Sequence, residues 1–240
     1  MINIQPIAIC HSPYRQKFAI PRQPRLVKQA RARIEFLPAF NRLEAVQGLE
    51  QFSHLWLLFI FDQNLDEGWR MTTRPPRLGG QKKMGVFATR STHRPNPIGQ
   101  SAVELLDIHY KNKQLWLEVA GIDLLDQTPI VDIKPYLPYA DHIADADAGI
   151  ATEKPIQKPV QWSVRAEQQL QQHCLGTDYP WQEIYSLVTS MLAQDPRPAF
   201  KLKRPDSKRY RVQVYRFDFE WCLIDESIQV LQVIPLDSEA

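Results

Sequence analysis

The chain has 240 residues, 44% of them hydrophobic and 23% charged, with 29 Lys and Arg against 27 Asp and Glu for a net charge of +2. This is the composition of an ordinary soluble globular chain, with core enough for one large domain or two unequal ones. No apolar run approaches membrane-spanning length and no signal-peptide pattern opens the chain, so a cytosolic protein without a membrane anchor is expected.

In chain order, strands come first and helices later. Ile2 to Ile9 is apolar-rich and interrupted only by Pro6, which predicts an edge strand. From Arg31 to Phe36, Ala32, Ile34 and Phe36 alternate with charged residues, the period-two mark of a half-buried strand. At most one short helix is expected here, around Arg42 to Gly48. Leu55 to Phe61 is continuously apolar and reads as a central strand buried on both faces, and Met84 to Ala88 is a further strand-like piece. Ser101 to Tyr110 and Gln114 to Ala120 flank Lys111-Asn112-Lys113, a hairpin turn, and Thr128 to Lys134 is another short strand. These pieces predict a mainly β barrel or sandwich over about the first 145 residues.

Asp141 to Lys158 is rich in Ala and Asp and reads as a linker. Ser163 is placed to cap a helix that runs to Cys174 and ends at Gly176, and Pro180 to open a second one. In that second helix Trp181, Ile184, Tyr185, Val188, Met191 and Leu192 form a packing stripe. Arg209 to Trp221 and Ile228 to Ile234 predict a hairpin across Asp225-Glu226-Ser227, with Arg209 and Arg211 on one face of its first strand. The carboxy-terminal part is therefore expected to be a small α+β unit.

The near-neutral total hides a segregation of charge. Residues 1–34 and 70–103 carry seven bases each and no acid, and 197–216 carry eight bases against Asp206. If these windows converge, the molecule presents a cationic face to a polyanion. The middle window contains a run of Arg, Pro and Gly from Arg74 to Gly99, which predicts stiff turns displaying guanidinium and backbone N–H groups to anions.

Several chemistries are missing. There is no Gly-x-Gly, hence no dinucleotide fingerprint, no phosphate loop and no nucleophile elbow. The six histidines and three distant cysteines have no ligand spacing, so no metal is expected, and Cys10, Cys174 and Cys222 read as reduced, buried thiols. Polar clusters remain at His11-Ser12-Pro13-Tyr14, at Phe61-Asp62-Gln63-Asn64, and in the aspartate-bearing stretch Gly121 to Tyr139. Asp62 and its neighbours end an apolar strand, where barrels place ligands, although from this fragment alone a cap that ends the strand and starts a turn is the favoured reading.

The segments HSPY, PRQP, GLEQFSHLWLLF, RPPRLGG, GVFATRSTHRPNPIG, GIDLLD and VDIKPYLPYAD follow one another in this order. Together they resemble the TrmO family of bacterial tRNA methyltransferases, also described as YaeB or TsaA-like, over residues 5–141. LAQDPRPAF resembles the carboxy-terminal extension of the bacterial members. The resemblance implies a catalytic β-barrel outside the Rossmann class over 1–145 and an α+β domain over 155–240 that contacts tRNA. It implies S-adenosyl-L-methionine as methyl donor, N6 of threonylcarbamoyladenosine beside the anticodon as acceptor, and a homodimer.

Carried over position by position, the resemblance implies a cofactor pocket of Gln23, Pro24, Arg25, Asp62, Gln63, Arg90, Gln100, Ile122, Asp123, Leu124 and Leu125. Arg74, Arg77 and Arg94 are candidates for the threonyl carboxylate, and Arg209 and Arg211 for tRNA. Family members commonly carry Gly where Arg25 and Gln127 stand, and His where Asp62 stands. An arginine at position 25 leads to the expectation that its loop needs no positive φ, and the catalytic base stays unassigned. Two other readings explain part of the pattern. An RNA-binding module without chemistry would use the basic windows with Tyr14, Phe18, Tyr136 and Tyr139 as stacking platforms. A small-molecule methyltransferase would bind the cofactor but have no use for a basic carboxy-terminal strand.

Overall fold

The computed structural model describes residues 3–78, 80–198, 201 and 206–236. Six antiparallel strands close into a barrel in the order β1 (Ala8–His11), β2 (Arg31–Phe36), β7 (Gln114–Ala120), β6 (Ile98–Lys111), β3 (His54–Ile60) and β8 (Thr128–Pro135), which pairs back onto β1. Closure leaves no strand edge, and alternate side chains fill the interior: Ala32, Ile34 and Phe36 from β2, Leu55, Leu57 and Phe59 from β3, Leu115, Leu117 and Val119 from β7. At roughly 1.5–3 kcal/mol for each large apolar side chain buried, these residues dominate the barrel's stability.

β6 spans two neighbours in succession. Ile98 to Glu104 pairs with β3 and Glu104 to Lys111 with β7. Its turn into β7 places Asn112 and Lys113 at φ 53° and 62°, as a two-residue hairpin turn requires.

Several expectations need correction. The first strand starts at Ala8 and pairs on both sides, so it is no edge, and Pro6 with its missing donor lies ahead of the ladder. β3 is buried on its inner face only: Trp56, Leu58 and Ile60 point outward and are half-covered, Trp56 against the ring of Tyr136 at 5.5 Å. Met84 to Ala88 is a two-residue β5 (Met84–Gly85), paired with β4 (Thr72–Thr73), followed by a 3-10 turn. The helix expected near Arg42 is likewise a single 3-10 turn, Leu43–Val46. A short α1 (Pro138–Asp141) follows the barrel.

The carboxy-terminal unit is a four-stranded sheet, β10 (Tyr210–Val214), β11 (Phe217–Ile224), β12 (Ser227–Pro235) and β9 (Val160–Trp162), with α2 (Val164–Cys174) and α3 (Trp181–Leu192) packed beside it. Ser163 caps α2 as expected, its Oγ accepting from the Ala166 N–H at 3.1 Å. Pro180 opens α3, and Ile184, Val188, Met191 and Leu192 are buried. The strand expected over Arg209 to Trp221 is two strands, because Tyr215 at φ 52° turns the chain back. Cys10, Cys174 and Cys222 are free and buried.

A segment at the end of β1 joins the two units. Tyr14 forms a bridge with Val214, the Tyr215 N–H donates to the Pro13 carbonyl at 2.8 Å, and Phe18 stacks on Tyr210 and Trp221. The first and third basic windows therefore do meet in the fold.

Candidate active-site cleft

One end of the barrel opens into a cleft of about 780 Å³, within the range of small-molecule sites. Its walls come from the end of β3 with the turn Asp62–Asn64, the first residues of β6, the loop between β7 and β8, the segment from Lys17 to Arg25, and the turn from Thr89 to Arg94. Local chemistry explains the opening. β8 carries a bulge opposite Leu58 and Phe59, which bends the sheet at the cleft. Gly99 faces Phe59 across the ladder, and a β-carbon there would lie 2.2 Å from the Phe59 ring, so glycine lets that aromatic lie flat in the cleft wall.

The β7–β8 loop is held from two sides. The Gly121 N–H donates to the Ala30 carbonyl at 2.9 Å. From β1's extension, Ser12 Oγ donates to the Leu124 carbonyl at 2.7 Å while the Ser12 N–H donates to Asp126 Oδ1 at 3.0 Å. Arg15 pairs with Asp126 at 2.8 Å, and Thr128 Oγ1 donates to the Leu125 carbonyl at 2.7 Å. A loop fixed by this many bonds holds its side chains in place.

Asp123 is the recessed acid of the site. Ser101 Oγ donates to its Oδ1 at 2.6 Å. Burial pushes its carboxyl up to about 6, against the opposing pull of the Ser101 hydroxyl, its own N–H and the Arg90 charge. The phenol of Tyr14 and the thiol of Cys10 are pushed up well beyond neutrality, chiefly by burial, and further by the Asp123 charge for Tyr14 and by the Asp126 and Asp123 charges for Cys10, so both stay protonated.

The rim is cationic. Lys17 Nζ donates to Asn64 Oδ1 at 2.7 Å and to the Gln63 carbonyl at 3.2 Å, and Arg90 donates to Gln23 Oε1. Of the residues expected to form a cofactor pocket, Gln23, Pro24, Arg25, Asp62, Gln63, Arg90, Gln100, Asp123, Leu124 and Leu125 all line the cleft, and Ile122 lies buried beneath it. Arg94 also lines it, but its guanidinium donates to the carbonyls of Thr89 at 2.7 Å and Val86 at 3.2 Å, which fixes the turn. Arg74 is exposed outside the cleft, and the side chain of Arg77 lies outside the described residues. Arg209 meets Glu220 at 2.9 Å, and Arg211 meets Glu220 at 3.4 Å and Asp218 at 3.6 Å, so acids of β11 balance the basic face of β10.

The expectation that the loop at position 25 needs no positive φ is overturned. Arg25 sits at φ 63° and Gln127 at φ 68°, both in the left-handed region where glycine is the easy occupant. Residue reading flagged Ser12 only within a polar cluster, without its role, and missed Lys17 and Ser101 as parts of the site. Their partners are 22 to 114 positions away in sequence, and Ser101 left a trace, as a hydroxyl in an apolar strand.

The tRNA-methyltransferase O N-terminal domain matches residues 9–142, and the TrmO C-terminal domain matches residues 155–236. The chain belongs to the tRNA-methyltransferase O family. It is 44% identical to the tRNA (adenine(37)-N6)-methyltransferase of Escherichia coli strain K12 over 97% of this chain and 98% of that one. It is 49% identical to a putative S-adenosylmethionine-dependent methyltransferase, RcsF, of Pseudomonas aeruginosa, over 91% of each. A crystal structure of TrmO from Pseudomonas aeruginosa superposes with a TM-score of 0.78 at 42% identity, covering 98% of both chains. The family's barrel with its small α+β unit is the fold described above.

Proposed function

We propose that this protein transfers a methyl group from S-adenosylmethionine to N6 of adenosine 37 in tRNA, and that the adenosine bears a threonylcarbamoyl group. The observation that carries the reading is the sorting of charge by depth: a recessed carboxylate, Asp123, at the floor of the cleft, under a rim of Lys17, Arg25 and Arg90. That arrangement suits a small cationic ligand inside and a polyanion outside. The names of the full-length relatives point the same way.

The residues present fit the cofactor. When bound, it supplies an electrophilic methyl group on a positively charged sulfur. Asp123 provides the counter-charge for a cationic ligand, Gln23, Gln63 and Gln100 offer amide donors and acceptors, and Trp56, Phe59 and Phe61 exclude water. Methyl transfer is an in-line displacement whose rate depends chiefly on positioning, which the bonded loops provide. Lys17 and Arg25 are exposed at the rim, where they can oppose phosphates, while the Arg90 charge reaches Asp123. An RNA-binding module without chemistry needs no recessed carboxylate beneath such a rim.

The test is direct. Purified protein, methyl-labelled S-adenosylmethionine and tRNA bearing threonylcarbamoyladenosine should yield label in that nucleoside alone. Label in another nucleoside, or none in RNA, would overturn the reading.

A further inference from the structure

Arg25 occupies a backbone state that an L-residue enters at a cost, on the wall of the cleft, with its side chain exposed. Its N–H donates to the Gly121 carbonyl at 2.8 Å, so the surrounding structure enforces that state. Gly121, itself at φ 77°, makes room for it: a β-carbon there would lie 3.1 Å from Arg25 Cγ and 3.3 Å from its Cα. Gly121 thus gives room to the strained backbone at position 25 and to the stem of the arginine. Yet the guanidinium has no hydrogen bond or ion pair among the described residues, whereas Lys17, Arg90 and Arg94 are each engaged by groups of the cleft. Strain retained at a ligand-facing position without an internal partner points to an external one.

We propose that Arg25 is a specificity-determining arm that receives an oxyanion of the incoming tRNA at the mouth of the cleft. This rests on the tRNA-methyltransferase reading above and adds to it the residue that grips the RNA. The planar guanidinium suits bidentate contact with either of two oxyanions near the target base, the carboxylate of a threonylcarbamoyl group or a backbone phosphate. Of the residues offered for this contact in the sequence, Arg74 lies outside the cleft and Arg94 is spent on carbonyls.

The experiment measures tRNA binding without turnover, using the full chain and two probes: tRNA bearing threonylcarbamoyladenosine, and the same tRNA with plain adenosine. Replacing Arg25→Gly removes the arm while suiting the backbone, so the melting temperature should hold within a few degrees. Affinity for the modified tRNA should fall about 10-fold and the salt slope by about one unit. R25K should restore the salt slope and part of the affinity, since charge returns without the planar fork. Arg25→Asn, which tolerates the left-handed state, gives a second charge-free variant should the glycine loosen the loop. Loss with the modified tRNA only identifies the carboxylate, and equal loss with both identifies a phosphate. Either pattern supports the proposal. It is overturned if R25G and R25N bind both tRNAs with wild-type affinity and slope, or if calorimetry shows that what they lose is affinity for S-adenosylmethionine. Failure of the wild-type protein itself to bind either tRNA in a salt-dependent manner would instead strike the underlying functional reading.

Discussion

Asp123 carries two opposed effects on one carboxyl. Its folded-state value of about 6 stands above the ordinary 3.8, so folding disfavours the ionised form. A group raised in this way contributes its stability below the unfolded value and loses it as pH rises through about 6. Asp123→Asn should therefore stabilise the protein at pH 7.5 by something on the order of 2 kcal/mol, read by denaturant melts, because the charge is removed while Ser101 keeps an oxygen to donate to. The same change should weaken S-adenosylmethionine binding measured by calorimetry, and wild-type affinity should fall as pH drops below about 6 and the carboxylate is neutralised. Tyr14 and Cys10, which face it, are pushed up far above that window by burial. A destabilised D123N variant with full cofactor affinity would make Asp123 a structural carboxylate. At the same scale, Arg25 and Gln127 show where residue identity misleads. Propensity argues against the left-handed region for both, yet each adopts it, because the loops that hold them are fixed by partners far along the chain.

At the scale of elements, what was legible was what is local. β2 and the β6–β7 hairpin carry a period-two pattern and a turn with polar residues, and both appear within a few residues of their expected bounds. The Tyr215 turn was not legible, because Val214-Tyr215-Arg216-Phe217 contains neither Gly nor Pro nor Asn to mark it. β9 is three residues long and pairs in parallel with a strand over sixty positions on, which no local pattern announces. The cleft was legible in part, through motifs whose residues line it, while Ser12, Lys17 and Ser101 act through long-range bonds. Ser12 offers the element-level test. Its hydroxyl holds the Leu124 carbonyl, and the Tyr14 N–H donates to it at 3.2 Å, so Ser12→Ala leaves two buried backbone groups short of a partner. We expect a loss of about 1–3 kcal/mol in stability, together with weaker S-adenosylmethionine binding as the β7–β8 loop loosens. Loss of stability with unchanged cofactor affinity would show that the loop does not depend on β1 for its position.

For the whole molecule, the cleft lies where the barrel meets segments that also touch the carboxy-terminal sheet, through Tyr14, Phe18 and the Gln16 side chain on the Arg211 carbonyl. We propose that this sheet helps to seat tRNA, but with its β10 arginines balanced by Asp218 and Glu220, replacing Arg209 and Arg211 by Gln should lower the salt slope of tRNA binding by less than one unit. A drop of two units would show that both leave their acids to meet phosphate. We also propose a homodimer. Trp69, Met71 and Phe87 expose large apolar surface on the excursion beside the cleft, which a second copy would cover. Light scattering should give twice the chain mass, and a monomer at working concentration would refute pairing. The central claim, methylation of threonylcarbamoyladenosine beside the anticodon, is tested most directly by nucleoside mass spectrometry of tRNA from cells with and without the gene. The account predicts that N6-methylated threonylcarbamoyladenosine disappears from the deletion strain while the unmethylated nucleoside rises to match, and that the gene on a plasmid restores it. An unchanged level of the methylated nucleoside in the deletion strain would contradict the account.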